Sequence, residues 1–135
     1  MNHDTFIGQV QTRAHLDSAA EGATRATLET LAECIPATLA DNLAAQLPQE
    51  IGEHLRRVAT APDQPATGLR MERRQLLDRV AQRAGADPAK AAHEARCVVE
   101  VVGEAVEGGV ADRVRQSLDD ELAQLLFAGS TGKPA

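Results

Sequence analysis

The sequence predicts an all-α protein, a bundle of six to eight helices built from two sequence repeats with pseudo-twofold symmetry. Three observations predict it. First, residues 25–50 align with a segment 71 residues further on: Arg25 falls on Arg96, Glu29 on Glu100, Glu33 on Glu104, Ala40 on Ala111, Asp41 on Asp112, Leu47 on Leu118 and Glu50 on Glu121. Apolar positions keep that register, Leu28 on Val99 and Leu43 on Val114 among them. Upstream the offset shortens by one, so Phe6, Ile7 and Val10 match Leu76, Leu77 and Val80. Second, the chain has two Phe, no Trp and no Tyr, and carries 25 alanines. Alanine has the highest helix propensity, whereas sheet cores favour aromatic and β-branched residues. Third, apolar residues recur at spacings of three and four, the period of a helix face.

Each element follows from local signals. Phe6, Ile7, Val10 and Ala14 place a helix over about Asp4 to Ala14. A turn at His15 to Asp17 leads to a second helix, opened by Ser18 with Glu21 three residues on, the pattern of a capping box. Thr24, Leu28, Leu31 and Ile35 form its stripe, and Pro36 ends it because proline cannot continue the amide ladder. A third helix covers Thr38 to Leu47, with Asp41 near its positive end. Pro48 starts a short fourth helix that aligns Ile51, Leu55 and Val58. Residues 59–69, with two prolines and a glycine in a polar stretch, read as a linker. The second repeat then copies the first. A helix covers Arg70 to Ala84 and stops at Gly85. Asp87 with Pro88 starts the next, which reaches Val106. Gly108 and Gly109 stand where Pro36 stood, and the last helices cover Val110 to Phe127, with Val114, Leu118, Leu122 and Leu125 inward. The expected organisation is one domain over 4–127, comprising repeat one (4–58), the linker (59–69) and repeat two (70–127), with a disordered tail at 128–135. One helical hairpin cannot hide its own stripe, so the repeats are expected to pack face to face.

The chain has 135 residues, 43% hydrophobic and 25% charged, which suits a globular domain that needs no metal or disulfide to fold. No apolar run is long enough to span a membrane, and the N-terminus lacks the basic and apolar regions of a signal peptide. The expected location is the cytoplasm. The net charge is −6, which argues against nucleic acid as a partner. The charge is uneven: residues 56–83 hold seven arginines against three acids, so that stretch is +4 and the remainder −10.

The runs Ala-Thr-Arg-Ala-Thr-Leu-Glu-Thr-Leu-Ala-Glu (23–33) and Asp-Asn-Leu-Ala-Ala-Gln-Leu-Pro-Gln-Glu-Ile (41–51) resemble the domain of unknown function numbered 2267, over about residues 4–127. The resemblance implies a small bacterial all-helical protein with a duplicated unit and no assigned activity, and it carries no catalytic residues onto this chain. The second repeat departs from the pattern at Asp119, where the first has Pro48.

Candidate sites are few. His93 and Cys97 stand four apart on a helix, the spacing of a zincin-type pair with Cys in place of the second His. A tetrahedral site needs further ligands, which His15, His54 or Cys34 would have to supply. The bland reading is a surface histidine and a small core cysteine, so no metal and no cofactor is expected. Cys34 and Cys97 are expected to be free buried thiols. Arg25, Glu29 and Glu33, repeated as Arg96, Glu100 and Glu104, form polar faces roughly 140° from the apolar stripe. These read as solvated faces, or else as a duplicated contact surface or polar seams between the repeats. Arg70, Arg73 and Arg74 are expected on one face of the second repeat's first helix, where they can meet phosphate, an anionic membrane or an acidic partner. No Ser-His-Asp arrangement or glycine-rich phosphate loop is present. The expectation is therefore a non-enzyme: an interaction or scaffold module whose partner is another protein, or alternatively a ligand- or metal-responsive regulator acting near His93 and Cys97.

Overall fold

The computed structural model describes residues 1–127. Among them it contains eight helices and no strand: α1 (His3–Ala14), α2 (Ala19–Cys34), α3 (Ala37–Gln46), α4 (Gln49–Ala59), α5 (Arg73–Ala84), α6 (Pro88–Ala105), α7 (Val110–Ser117) and α8 (Asp120–Leu126). The expected tail at 128–135 lies outside the described residues. No helix among them is long and apolar enough to cross a membrane.

The helix ends show which signals act. The Asn2 side chain accepts from the Thr5 N–H and caps α1. His15 closes that helix in the left-handed region at φ 56°. The capping box expected at Ser18 does not form. Ser18 sits in helical conformation with no side-chain cap bond, and the Glu21 carboxylate instead meets His3 Nε2 at 2.7 Å. Asp41, expected near the start of its helix, lies beyond the first turn of α3 and accepts from Arg56 of α4. Asp87 caps α6 through the Lys90 N–H, with Pro88 in the first position, and Gly85 closes α5 at φ 69°. Pro48 and Asp119 occupy the N-caps of α4 and α8 respectively. The two begin a helix by different means: Pro48 by its fixed φ, Asp119 by accepting from the Leu122 N–H at 2.9 Å.

One buried cluster runs from Phe6 to Phe127 and draws on every helix. At its centre is α2, which contacts α1, α4, α5 and α6. Its small residues Ala20, Ala23 and Ala26 are buried together with Leu28 and Leu31, so four neighbours approach closely. The segment expected as a linker is irregular backbone that also straps the α2–α3 break. Ala37 N–H donates to Ala66 O at 2.8 Å, and Leu69 N–H donates to Glu33 O at 2.6 Å. The Gln64 amide donates to the same Glu33 carbonyl. These bonds satisfy groups left open where Pro36 breaks the chain between α2 and α3. Gly68, at φ +86°, lies so close that a Cβ there would stand 2.8 Å from Ile35 O. The strap extends through Arg70, so that residue precedes α5 instead of lying on it.

Candidate functional site

The polar faces of α2 and α6 are built from acids that point at other helices. Glu29, whose side chain is 17% exposed, receives Arg57 of α4 at 3.0 Å and Arg83 of α5 at 3.8 Å. Glu33, at 13%, receives Arg79 at 3.0 Å and both ends of the Arg83 guanidinium. Arg83 also donates to Thr30 Oγ1 at 2.7 Å. Burial pushes the Glu33 carboxyl up, but Arg83 and then Arg79 outweigh it and hold it below the usual carboxylate range. Arg57 donates in turn to His54 Nδ1 at 2.9 Å. Burial first, and then the Arg57 charge, depress the imidazole, which suits a ring nitrogen that accepts.

A second arrangement of the same kind joins α1 to α6. Arg13 meets Glu100 at 3.5 Å and hydrogen-bonds Glu104. Arg96 turns to the other side and donates to Leu125 O at 3.2 Å, where a cation suits the negative end of α8. Arg25 is exposed. The acids singled out in the sequence are thus brought into two seams. Arg13, Arg57, Arg79 and Arg83 complete them, and sequence reasoning assigned none of these as a partner. A signal was present. Arg13 precedes Arg83 by 70 residues, the offset that places Phe6 on Leu76.

His93 and Cys97 share a face, with Sγ and Nε2 3.8 Å apart. Among the described residues no group of three or more His, Cys, Asp or Glu side chains is placed to hold a metal ion. Cys34 and Cys97 are free and buried. Burial pushes the Cys34 thiol up to about 12 and raises Cys97 as well, so neither offers a thiolate nucleophile near neutral pH. Glu94 is a buried acid, 3% exposed, and burial raises its carboxyl.

The arginine cluster has a different character. Arg70, Arg73 and Arg74 are exposed, and none makes an ion pair or side-chain hydrogen bond among the described residues. Arg73 and Arg74 are the first two residues of α5. Arg70 borders a cleft of about 400 Å³ between the strap and the α7–α8 joint, with a mixed lining that includes Thr67, Leu69, Met71, Ser117, Asp119 and Leu122. Arg73 and Arg74 border a separate, more open depression of about 560 Å³ with Leu77, Asp78 and Pro88.

The family model for an uncharacterized conserved protein, DUF2267, matches residues 3–125, and the chain belongs to that family. No curated protein matches it.

Proposed function

We propose that this DUF2267 member is a non-catalytic protein-interaction module whose contact surface is the arginine-rich entry to α5. The observation that carries this reading is the placement of Arg73 and Arg74 at a helix start. Five other helices carry an acid in the first turn: Asp4, Glu21, Glu50, Asp112 and Asp120 with Glu121. α5, like α3 and α6, carries none, and two arginines follow the Glu72 N-cap where the backbone N–H groups make the end positive. An exposed cation at a helix start costs at most about 0.3–1 kcal/mol, and the Glu72 carboxylate at the N-cap offsets part of it. Arg13, Arg57, Arg79 and Arg83 are engaged with acids of the fold. Cations that pair with no acid among the described residues suit a surface meant for something outside the chain.

The architecture in this reading is two repeats about a pseudo-twofold axis, held by reciprocal seams. Arg13 of the first repeat reaches Glu100 and Glu104 of the second, and Arg83 of the second reaches Glu29 and Glu33 of the first. The seams use the repeated acids internally, which leaves the arginine entry, present in one repeat alone, as the specialised surface.

The test is affinity capture from the source cells with the wild-type chain, the triple variant Arg70→Glu/Arg73→Glu/Arg74→Glu, and Arg25→Glu as a control. A partner held by wild type and by Arg25→Glu but lost from the triple variant is the expected result. An identical captured set for all three overturns the reading.

A further inference from the structure

We infer that Glu33 is a two-point clamp on the segment that carries Arg70, Arg73 and Arg74: its backbone carbonyl holds the chain just before the arginines, and its carboxylate holds the chain just after them. The part this plays in function rests on the interaction reading above, whereas the clamp itself is a property of the backbone and is tested as one.

The first point lies in the strap. Leu69 N–H donates to Glu33 O at 2.6 Å, and the Gln64 amide donates to the same oxygen at 3.1 Å. That oxygen is open because it belongs to the last four carbonyls of α2, which have no partner within the helix. Gly68 seats against the same helix end, where an added Cβ would stand 2.9 Å from the Cys34 carbonyl carbon. Met71 then turns inward, with its sulfur 3.7 Å from Cys34 Sγ. Glu33, Cys34 and Ile35, the last residues of α2 and its cap, thus receive every one of these contacts.

The second point lies on α5. Arg83 sets its two terminal nitrogens on the two carboxylate oxygens of Glu33, and Arg79 adds a contact at 3.0 Å. Arg79 stands about 9 Å of helix rise beyond Arg73. Arg70, Arg73 and Arg74 are exposed and lie between the two points, so their backbone is held while their side chains stay free. Glu29 offers the contrast. Its carboxylate is similarly covered and shares Arg83, but its carbonyl takes no bond from the strap among the described residues.

A held segment meets an external anion without first losing backbone freedom, which lowers the cost of binding. Apolar packing of Leu76 and Val80 also anchors α5, but both lie beyond the arginines and neither reaches the strap bonds. The carboxylate grips only when ionised, because it accepts from both guanidinium groups. The charged groups around it are Arg79 and Arg83 of α5, and Glu29 of α2, which shares Arg83 and takes Arg57 of α4. Asp119, at the start of α8, borders the same cleft as neighbouring Cys34. The Glu33 carboxyl is held below its usual range, so the second point is complete at neutral pH and is released as pH falls through that lowered value.

The test is nitrogen-15 relaxation of wild type, Glu33→Gln, Gly68→Ala and their combination, with Glu29→Gln as a control that alters a similarly covered carboxylate and no strap contact. Wild type is expected to show order parameters of about 0.85 from Leu69 to Arg74, the level of rigid backbone. Glu33→Gln is expected to lower them at Arg73 and Arg74, Gly68→Ala at Leu69 and Arg70, and the combination across the segment, toward about 0.6 or less. Glu29→Gln is expected to leave them at the wild-type level. Gln64→Ala, which removes one strap bond without straining the backbone, replaces Gly68→Ala should that variant fail to fold. In a pH titration the amide shifts of Arg70, Arg73 and Arg74 are expected to move with the Glu33 carboxyl carbon at a shared midpoint, and that transition to be missing from Glu33→Gln. Low order parameters in wild type, equal effects of Glu33→Gln and Glu29→Gln on residues 69–74, or arginine amides that ignore the Glu33 titration would each overturn the clamp. None of these readouts involves a partner, so the capture experiment decides the interaction reading separately.

Discussion

Arg83 holds Glu33 by both of its terminal nitrogens, Nη1 on Oε1 and Nη2 on Oε2, each at 3.0 Å, and so ties α5 to α2 at a carboxylate that is only 13% exposed. Burial alone would raise this carboxyl, but the two arginines outweigh it and the net position is below the ordinary 4.5. A group whose folded pKa is depressed contributes stability above its unfolded pKa and loses it as pH falls through the folded value. Thermal melts of wild type are therefore expected to fall as pH drops below about 4.5, and Glu33→Gln to fall less steeply over the same interval. At pH 7 the substitution is expected to cost about 2 kcal/mol, or about 7 °C in Tm. Parallel pH profiles for the two proteins would refute the coupling.

The two seams differ in exposure, and that difference sets a ranking. Arg83 and Arg13 are similarly exposed at 30% and 28%, but Glu33 is 13% exposed where Glu104 is 50%. Solvent screens the second pair far more. Arg83→Met is expected to destabilise by about 2 kcal/mol and Arg13→Met by less than about 1 kcal/mol. Equal losses in urea unfolding would show that the seams are energetically alike despite their geometry.

Caps give a sharper contrast. Asp87 accepts from the Lys90 N–H at 2.8 Å, whereas Ser18 makes no cap bond. Asp87→Ala is expected to cost about 1 kcal/mol and Ser18→Ala to lie within a few tenths of zero. A cost at Ser18 matching that at Asp87 would mean that the capping box forms in solution after all.

These caps also mark how much of the fold is legible in the residues alone. Asp87-Pro88, Gly85, Pro36 and the Gly108-Gly109 pair act through their own backbone chemistry, so helix ends there can be read directly. Ser18 misleads because its acid partner, Glu21, is taken by His3 from another helix, and a local motif carries no record of a distant competitor. The polar faces mislead for a related reason. A helical wheel assigns the side opposite the apolar stripe to solvent, which holds when a helix has neighbours on one side. α2 has four neighbours, so Glu29 and Glu33 meet arginines where water is expected. The strap is a tertiary feature, since its Pro and Gly content signals irregular backbone but not that Leu69 and Gln64 hydrogen-bond the end of α2. Of the candidate site, the three arginines are visible in the sequence as a cluster. The cleft beside Arg70 is not, because it exists only where the strap meets the α7–α8 joint.

Two glycines in helix interiors are expected to respond to alanine with opposite signs. A Cβ added to Gly22 would meet nothing within 4 Å, whereas a Cβ on Gly52 would stand 2.7 Å from the Ala44 carbonyl oxygen. Alanine lowers the entropy cost of a helix interior by about 0.5–1 kcal/mol. Gly22→Ala is expected to gain that amount. Gly52→Ala is expected to lose about 1–3 kcal/mol, because the α3–α4 backbone contact must open. Differential scanning calorimetry measures both, and a gain at Gly52 would show that α4 can shift away from α3 at little cost.

Glu94 supplies the opposite pH test to Glu33. The residue is 3% exposed, and no hydrogen bond or ion pair reaches its carboxyl among the described residues. Burial is the largest influence and raises it, with Lys90 and then His93 opposing more weakly. The sign is therefore reversed. A carboxyl whose folded pKa lies above its unfolded value favours folding when protonated, and that contribution is lost as pH rises through the folded value. Ala23, the residue aligned with Glu94 at the 71-residue offset, is itself 2% exposed, which shows that alanine suits such a position. Glu94→Ala is expected to raise stability at pH 7, because the charged carboxylate is disfavoured by the surrounding burial. That gain should shrink as pH falls toward 4.5, the ordinary carboxyl value, where wild type carries the proton. Thermal melts of the two proteins across that interval measure it. A gain independent of pH would assign the effect to helix propensity alone, and a loss at pH 7 would show that the carboxylate is held by a favourable contact.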